Sequence, residues 1–495
     1  MGRGQVAALV ALVASAALAS LVGAPPPLEP LAALVMEWTP VPIANALLDL
    51  LGPLGKPLAL VGASAIVLGL SGPLALLALA APFGRLNWLL TVVAVSLLVS
   101  PLARPGTVVG PGALALIFLG ALALTRRGAR RAPFGWHRAT RTEGRTPCAP
   151  TGRRRFLIEA ARNAGAIALA SILPLGAAEV RARVVGRTVR PPLFPFEPPP
   201  ARAPGFELAG LTPEVTPVPL FYRMSKNVAD PVVDETAWSV SVAGRVRRVL
   251  SLTLDDLVAL PRADHYITME CVSNPVGGPL WSAALFSGVP LARLLERAEP
   301  LADAAWISFE GPDGHREQLS LARALDPRIL VAYGMNGQWL EPVHGFPARL
   351  VAAGLYGFRS VKWLTRIEVL DRPKPGHWEE RAWTAADIHT TARVDVVRPE
   401  PVGAVAAGVA FAGVRGISAV QVRVDAGPWQ PAELHTPPLS EVMWVQWRAP
   451  LALTSEHGSR VEARAIDGRG AAQDETPRGQ FPNGATGLHG LSLRS

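Results

Sequence analysis

The sequence predicts N-terminal transmembrane α-helices, a central α+β domain and a C-terminal β-sandwich. The chain has 495 residues and is 49% hydrophobic but only 18% charged, well below the ~25% of an ordinary soluble domain. Residues 1–178 contain 15 Lys and Arg against 5 Asp and Glu, whereas residues 179–495 contain 33 against 34. The net charge of +9 therefore comes from the first third, and no nucleic-acid partner is predicted. After residue 216 the spacing of apolar residues changes to that of folded domains.

Four uncharged runs in the first third are each long enough to cross a bilayer as a helix. Inside hydrocarbon only helices and closed barrels satisfy their own backbone groups, so runs rich in Leu, Ala and Val predict membrane helices. We therefore predict a four-helix transmembrane region over residues 1–125. The runs are 5–24, 57–84, 86–103 and 105–125.

The segment 126–155 contains ten Arg and one acidic residue, Glu143. Because cytoplasmic loops collect Lys and Arg, we expect it to be a cytoplasmic loop. The run Arg-Arg-Arg-Phe-Leu at 153–157, followed by the uncharged run 163–178, resembles a twin-arginine export signal. A fifth transmembrane helix over 156–178 is the alternative, and whether this segment is cleaved stays open.

Both interpretations place the remaining residues outside the cytoplasm. The sequence thus predicts a multi-pass protein of the inner or plasma membrane with its catalytic part on the extracytoplasmic side. Ten prolines between 191 and 219 indicate a stiff, extended tether. We assign residues 179–215 to this Pro-rich linker.

The region after the linker divides into two predicted domains. Residues 216–392 alternate irregularly between strands and short helices, which indicates an α+β domain. No G-x-G-x-x-G run opens a helix, so a Rossmann dinucleotide site is not supported. Residues 393–495 show short strands separated by turns and predict a β-sandwich, with a continuation of the preceding domain as the alternative. The predicted elements are strands at 238–244, 306–310, 329–333, 419–424, 442–447 and 461–466, and helices at 252–260 and 289–298.

Two cysteines, Cys148 and Cys271, are too few for a disulfide scaffold, a Cys-rich zinc site or a Cys-ligated iron–sulfur cluster. Cys271 is predicted at the end of a strand, shortly before Gly277 and Gly278. Flexible backbone there lets a ligand or a metal approach the thiolate closely. The alternative is an ordinary buried cysteine.

A donor-rich segment follows, in which a histidine, an arginine, a hydroxyl and a lysine lie within 19 positions, interleaved with glycines. Guanidinium, ammonium and backbone N–H groups together suit a phosphate or pyrophosphate. A solvated basic loop is the alternative. The residues are His344, Arg349, Ser360 and Lys362, and an earlier cluster of the same character contains Tyr222, Arg223 and Asn227.

Several motifs occur in order along 216–392. They are Glu-Cys-x-Ser-Asn around Cys271, Phe-Glu-Gly-x-Asp ending at Asp313, Tyr-Gly-Met-Asn-Gly from Tyr333, His-Gly-Phe-Pro-x-Arg from His344, and Tyr-Gly-x-x-Ser-Val-Lys-Trp-Leu from Tyr356. Together they resemble the molybdopterin-binding domain of the sulfite oxidase family. Residues 417–434 and the run Phe-Pro-Asn-Gly at 481–484 are similar, more loosely, to the immunoglobulin-like dimerisation domain of that family.

This resemblance implies a molybdenum–molybdopterin cofactor and two-electron oxygen-atom transfer. Cys271 would be the catalytic residue and the metal ligand, because a soft thiolate suits such a metal. The dimerisation domain implies a possible homodimer. By the same resemblance, His344, Arg349, Ser360 and Lys362 would hold the pterin and its phosphate, Asp313 would hydrogen-bond the pterin, and Tyr222, Arg223 and Asn227 would close the site.

Two departures from the family concern the substrate. Sulfite oxidases carry an arginine shortly after the metal cysteine, where this chain has Pro275, Val276 and Gly277. They also carry a tyrosine two residues before a His-Trp pair, whereas Pro375 precedes His377 here. Sulfite is therefore a poor candidate, and the small-molecule donor or acceptor of the oxygen atom, the direction of electron flow and the presence of a nucleotide on the pterin stay open.

The membrane region offers no haem site. No histidine precedes His137, and no Cys-x-x-Cys-His run occurs, so neither bis-His haem in the membrane nor c-type haem is predicted. Electrons would instead pass between the molybdenum and a separate redox partner or a quinone.

Two other functions fit some of the same residues. A thiol hydrolase would use Cys271, His344 and Asp313 as a Cys-His-Asp triad and would need no metal. A non-catalytic membrane receptor would only bind an anion through the basic cluster. Molybdenum content distinguishes the first interpretation from both alternatives.

Overall fold

The computed structural model describes residues 205–227, 230–385, 387–452 and 459–492. No helix in these ranges is both long and apolar enough to span a bilayer. The chain divides into two compact units, and the second, Gly186–Lys226 with Val233–Ser495, contains nearly all the described residues. The predicted transmembrane region 1–125, the basic loop 126–155, the signal-like segment 156–178 and linker residues 179–204 lie outside the described ranges.

The described part of the predicted linker is held by the body of the second unit. The Phe206 N–H donates to Gln446 Oε1 at 3.1 Å, and Gln446 Nε2 donates to the Thr212 carbonyl at 2.8 Å. Residues 205–212 therefore form a segment fixed along one strand of the C-terminal sheets, and the predicted linker 179–215 stays a prediction.

The site-bearing part of the second unit contains two five-stranded sheets. One has the order β2-β1-β10-β5-β6, with β1 and β10 parallel and the other pairs antiparallel. The other is antiparallel, with the order β3-β4-β7-β8 and β9 paired with β7. The strands are β1 (Val240–Gly244), β2 (Leu250–Leu252), β3 (Ala263–Glu270), β4 (Trp281–Pro290), β5 (Trp306–Glu310), β6 (Arg316–Ser320), β7 (Leu330–Met335), β8 (Gln338–Trp339), β9 (Arg349–Val351) and β10 (Arg366–Leu370).

The helices of this part are short and begin at recognisable local signals. Helix α1 (Leu254–Val258) starts at a capping box, in which Thr253 and Asp256 satisfy each other's backbone N–H. It is shorter than predicted because Leu252 pairs in β2. Helix α2 (Leu291–Ala298) starts only after Pro290, because 289 and 290 still belong to β4. Helix α3 spans Leu321–Ala324.

The C-terminal residues form two four-stranded antiparallel sheets, with the orders β11-β12-β16-β15 and β14-β13-β17-β18. Alternate residues of these strands face a shared apolar core that includes Val394, Val422 and Trp447. The predicted boundary at 392/393 lies within β11 and stays a prediction. The strands are β11 (Thr391–Pro399), β12 (Ala404–Phe411), β13 (Ile417–Val424), β14 (Gln430–Pro431), β15 (Glu433–Leu434), β16 (Val445–Leu451), β17 (Arg460–Asp467) and β18 (His489–Ser492).

The predicted bounds of β1, β7, β13 and β17 differ from the observed ones by at most two residues, and those of β5 coincide. The strand predicted at 442–447 starts three residues before β16. Val442 does not pair in the sheet of β16; its carbonyl accepts from the Thr268 N–H of β3 at 3.0 Å. A further apolar cluster packs Trp281 of β4 against Trp444, with ring centroids 5.7 Å apart. This cluster places β12 and the residues just before β16 beside Val272, which follows Cys271.

Candidate functional site

Cys271 directly follows β3 and is a buried free thiol. Its N–H donates to the Leu280 carbonyl at 2.9 Å, which fixes the start of the turn. Burial raises the pKa of the Cys271 thiol, and hydrogen bonds from Ser273 oppose this shift. Such a thiol is a poor nucleophile by itself but becomes a ligand when a metal displaces its proton.

Arg349 at the start of β9 is a buried cation, 6% exposed. It donates to the carbonyls of His344 at 3.0 Å, Ser360 at 3.1 Å and Leu350 at 3.4 Å. Burial lowers its pKa to about 10, and no carboxylate of the described residues contributes to that value. A buried guanidinium bound only to neutral carbonyls favours an anionic ligand beside it.

His344 ends a short 3-10 turn and is 2% exposed. Burial, followed by the charges of Arg349 and Arg223, lowers its pKa to about 3, and a hydrogen bond with the Val218 backbone opposes this. The ring is therefore neutral at pH 7. Its Nε2 has no hydrogen-bond partner among the described residues, so a ligand that pairs with this atom would be stabilised.

Ser360 and Lys362 lie on the segment that runs along β9. The Ser360 hydroxyl accepts from the Ala352 N–H at 3.0 Å. Lys362 Nζ donates to the Val343 carbonyl at 3.0 Å and lies 4.3 Å from the centre of the Trp363 ring. The structure thus brings together His344, Arg349, Ser360 and Lys362, the four residues of the predicted anion site.

Gly345 is needed for this close packing. It has a φ of +106°, and a Cβ there would lie 3.1 Å from the Cβ atoms of both Arg349 and Lys362. A larger residue would be strained by the backbone conformation and would also push the two cationic side chains apart.

Tyr222, from the earlier donor-rich cluster, lies close to the cysteine. Its N–H donates to Ser282 Oγ at 3.0 Å, and a Cβ at Gly357 would lie 2.4 Å from its hydroxyl oxygen. Burial raises the pKa of the Tyr222 phenol, Cys271 raises it further and Arg349 opposes. The phenol therefore lies near both Cys271 and Arg349.

Three further predicted site residues have different surroundings. Arg223 is exposed and lies 3.8 Å from a carboxylate oxygen of Glu341. Asp313 is held by Lys226, whose Nζ donates to the Asp313 carbonyl at 2.9 Å and lies 3.9 Å from its carboxylate. Asn227 is half-buried and belongs to the first compact unit.

Glu270 was not assigned a role from the sequence, although it precedes Cys271 in the first motif. Asn274 Nδ2 donates to Glu270 Oε1 at 3.0 Å, whereas Oε2 has no partner among the described residues. Burial raises the pKa of Glu270 to about 7, and Asn274 and Arg393 oppose this shift. Its position beside the cysteine was the only available signal.

Arg393 of β11 was missed because nothing local connects it with the cysteine. Its Nη1 donates to the Gly278 carbonyl at 3.0 Å across 115 positions of sequence, and its guanidinium lies 4.7 Å from the Trp281 ring centre. An ion pair of 2.6 Å with Asp395 balances its charge. The turn after Cys271 contains no arginine of its own, but Arg393 lies beside it on another strand.

A small cleft with a cavity volume of about 10 Å³ lies beside this turn. It combines apolar and polar groups from the turn, from β4 and from the C-terminal sheets. Its lining residues are Glu270, Asn274, Pro275, Val276, Gly277, Gly278, Trp281, Tyr356, His389, Thr391, Arg393 and Ala485.

The geometry does not support the thiol hydrolase. That mechanism needs a hydrogen bond between the nucleophile and its base. His344 Nε2 has no partner in the described ranges, and a hydrogen bond with the Val218 backbone engages the same ring. Cys271 and His344 therefore do not form a catalytic pair in this arrangement.

Comparison with known proteins agrees with the motifs. Residues 227–378 match the family described as the oxidoreductase molybdopterin binding domain. Mitochondrial sulfite oxidase from Mus musculus is 29% identical over 315 residues, which cover 53% of this chain and 58% of the relative. An NADH nitrate reductase from Solanum lycopersicum is 34% identical over 192 residues, 33% of this chain and 21% of the relative. The chain thus spans little more than half the length of the mammalian relative.

The fold also has a solved counterpart. The sulfane dehydrogenase SoxCD from Paracoccus pantotrophus superposes with a TM-score of 0.50 and 19% identity, covering 58% of this chain and 85% of that chain. At this identity the likeness concerns the fold. The β-rich core of the second unit is therefore of the sulfite oxidase type, and the resemblance to the molybdopterin-binding domain is confirmed, whereas the immunoglobulin-like assignment of residues 393–495 stays a prediction.

Proposed function

We propose, because the chain is a sulfite oxidase-like molybdopterin-binding oxidoreductase, that it performs two-electron oxygen-atom transfer at Cys271. When bound, the molybdenum–molybdopterin cofactor supplies this chemistry. The residues of the chain position it, exclude water and control which molecule approaches.

The donor set of the site fits this cofactor. Cys271 would bind molybdenum through its thiolate. Arg349, a buried cation without a carboxylate partner in the described ranges, would balance the anionic phosphate. His344 would pair through its unsatisfied Nε2, and Ser360 and Lys362 would complete the cradle.

The remaining predicted contacts lie around this cradle. Asp313, held by Lys226, would hydrogen-bond the pterin, and Tyr222 would close the site beside Cys271. Arg223 would contribute from the rim, and the predicted role of Asn227 stays a prediction. The buried, uncompensated Arg349 within the matched domain is the observation that carries the proposal.

Metal analysis tests the proposal directly. We expect about one molybdenum per chain in the purified protein, and its loss in Cys271→Ser. Cys148→Ser is the matched control, because Cys148 lies far from the matched domain in the sequence, and it should keep the metal. A Cys271→Ser protein that retains molybdenum and full activity would contradict the ligand assignment.

Sulfite is a poor candidate substrate because Pro275, Val276 and Gly277 occupy the turn where sulfite oxidases carry an arginine. The oxygen atom would come from, or go to, another small molecule. Electrons would be exchanged with a separate redox partner or a quinone, since no histidine precedes His137 in the predicted membrane region and no Cys-x-x-Cys-His run occurs.

The proposed enzyme is anchored in the inner or plasma membrane with its catalytic part outside the cytoplasm. Four uncharged runs and the Arg-rich segment 126–155 support this topology. Digestion of residues 216–495 by protease added to intact spheroplasts would support it, and full protection would refute it.

The C-terminal sheets would form an immunoglobulin-like domain that mediates a homodimer. Two antiparallel four-stranded sheets around one apolar core support this assignment. Light scattering of the purified protein measures the mass: twice the chain mass supports the dimer, and a single-chain mass excludes it.

A further inference from the structure

Arg393 of β11 lies where three separate segments of the chain meet. Each nitrogen of its guanidinium group donates a hydrogen bond: Nε to Asp395 Oδ1 at 2.6 Å, Nη1 to the Gly278 carbonyl at 3.0 Å and Nη2 to Thr212 Oγ1 at 2.6 Å. Because the guanidinium fork is planar and rigid, these three acceptors together fix one orientation of the side chain. Arg393 therefore joins its own strand both to the turn after Cys271 and to the segment that contains Thr212.

The segment 205–216, which we call the strap, is bonded to both parts of the second unit. In its first half it lies along β16, and the Thr212 N–H also donates to Asp395 Oδ2 of β11 at 3.0 Å. At its end, the Thr216 N–H donates to the Ala283 carbonyl of β4 at 2.8 Å, and Thr216 Oγ1 accepts from the Ala283 N–H at 3.1 Å. The strap is thus placed by the C-terminal sheets and also by the sheet of β3 and β4.

A second contact joins the turn to the same part of β11. Gly277 has a φ of +74°, and a Cβ there would overlap Cδ2 of the His489 ring. That ring is oriented by the Val394 N–H, which donates to His489 Nδ1 at 3.1 Å. A side chain at position 277 would displace the ring, so a glycine is required here. Two neighbouring residues of one strand, Arg393 and Val394, therefore hold the turn.

The turn itself is an internally bonded unit that begins at Cys271. The Cys271 carbonyl accepts from the Asn274 N–H at 3.0 Å, and the Leu280 N–H donates to Asn274 Oδ1 at 2.9 Å. The Gly278 N–H donates to the Pro275 carbonyl at 2.8 Å. Because the Cys271 N–H donates to the Leu280 carbonyl, a displacement of Gly278 is carried to the cysteine through a short, continuous set of bonds.

We propose that Arg393 is a positioning residue for Cys271, and that the strap belongs to the framework of the site through the bond from Arg393 to Thr212. The bonds run from the strap through the guanidinium group to the Gly278 carbonyl and then along the turn to the cysteine. Loosening the strap at Thr212 therefore loosens the turn that directs the thiol. The inference rests on the proposed function only where it concerns molybdenum, because the connection between strap and turn is a property of the chain itself.

Removing the hydroxyl of Thr212 tests this connection in the purified full-length protein. Thr212→Val keeps the size of the side chain and the backbone bonds of residue 212, but it removes the acceptor for Arg393 Nη2. By hydrogen–deuterium exchange with mass spectrometry we expect the amides of 271–280 to exchange about fivefold faster, the typical effect of one lost hydrogen bond. Thr212→Ser restores the hydroxyl and should return the exchange to the wild-type rate.

Thr390→Val is the matched control. Thr390 Oγ1 accepts from Arg415 Nη2 at 3.1 Å, so the same substitution removes the same kind of bond, from an arginine whose partners lie outside the turn. It should leave the exchange of 271–280 unchanged. Arg393→Lys removes the bond to Thr212 from the other end and keeps the charge. It should speed the exchange at least as much as Thr212→Val, because an ammonium group cannot reach all three acceptors.

A spectroscopic measurement shows whether the turn also places the cysteine. In protein loaded with molybdenum, a thiolate ligand gives a charge-transfer absorption band whose energy depends on the orientation of the sulfur. We expect this band to shift in Thr212→Val and Arg393→Lys. It should stay at its wild-type position in Thr212→Ser and Thr390→Val.

Three results would overturn the inference. They are unchanged exchange of 271–280 in Thr212→Val, equally faster exchange in Thr390→Val, and a band at the wild-type position in a loaded variant whose turn exchanges faster. Molybdenum content of the same samples separates this inference from the proposed function. Protein without molybdenum contradicts the proposed function, whereas its exchange rates still decide the connection between strap and turn.

Discussion

Replacing His344 with glutamine should remove much of the acid sensitivity of the folded protein. The pKa of His344 is about 3 in the folded state, chiefly because the ring is buried, against about 6.5 when unfolded. Between these values the unfolded chain binds the additional proton, so the free energy of unfolding falls as the pH falls below 6.5. At pH 5, which lies about 1.5 units below the unfolded pKa, each unit corresponds to about 1.4 kcal/mol. The free energy of unfolding is therefore lower than at neutral pH by roughly 2 kcal/mol.

Urea unfolding of cofactor-free protein at pH 7.5 and pH 5 measures this loss. At pH 7.5 His344 is neutral in both states, so the difference between wild type and His344→Gln reports only packing and hydrogen bonding. On moving to pH 5, wild type should lose about 2 kcal/mol more than the variant. An equal loss of unfolding free energy in both proteins would show that His344 titrates normally. It would contradict the description of this ring as buried beside positive charges.

Three other changes test separate parts of the structure. Cys271→Ser should abolish turnover with little change in the urea midpoint, because a hydroxyl is a far poorer molybdenum ligand than a thiolate; wild-type turnover would rule out the assignment. Gly345→Ala should destabilise the protein by about 1–3 kcal/mol through its positive φ, and an unchanged urea midpoint would contradict the packing described. Changing Arg153 and Arg154 together to Lys should block appearance of the molybdenum domain outside the cytoplasm, because lysine keeps the charge but not the guanidinium fork that a receptor reads. Full protease digestion of a loaded outer domain in spheroplasts would leave only the fifth-helix interpretation.

The sequence alone determined the features that depend on neighbouring residues. Alternating apolar residues predicted β1 and β5, and the strand end before the glycine pair placed Cys271 correctly. Short-range motifs also predicted the grouping of His344 with Arg349, because the two are five positions apart and a tight turn with Gly345 connects them. Such features are set by local backbone preferences and side-chain periodicity, which act within a few residues.

Only the tertiary structure decided which distant side chains surround the cysteine. Arg393 reaches the Gly278 carbonyl from 115 positions away, and Tyr356 enters the same cleft from a separate segment. Even the opposition of Glu270 and Trp281 depends on the register of β3 with β4, in which a shift of one residue would send a side chain to the other face. These contacts arise from packing between sheets, so their partners carry no local signal. The sequence therefore predicted the cofactor class and the strand end that carries Cys271, whereas the packing of sheets decided which side chains line the cleft beside it.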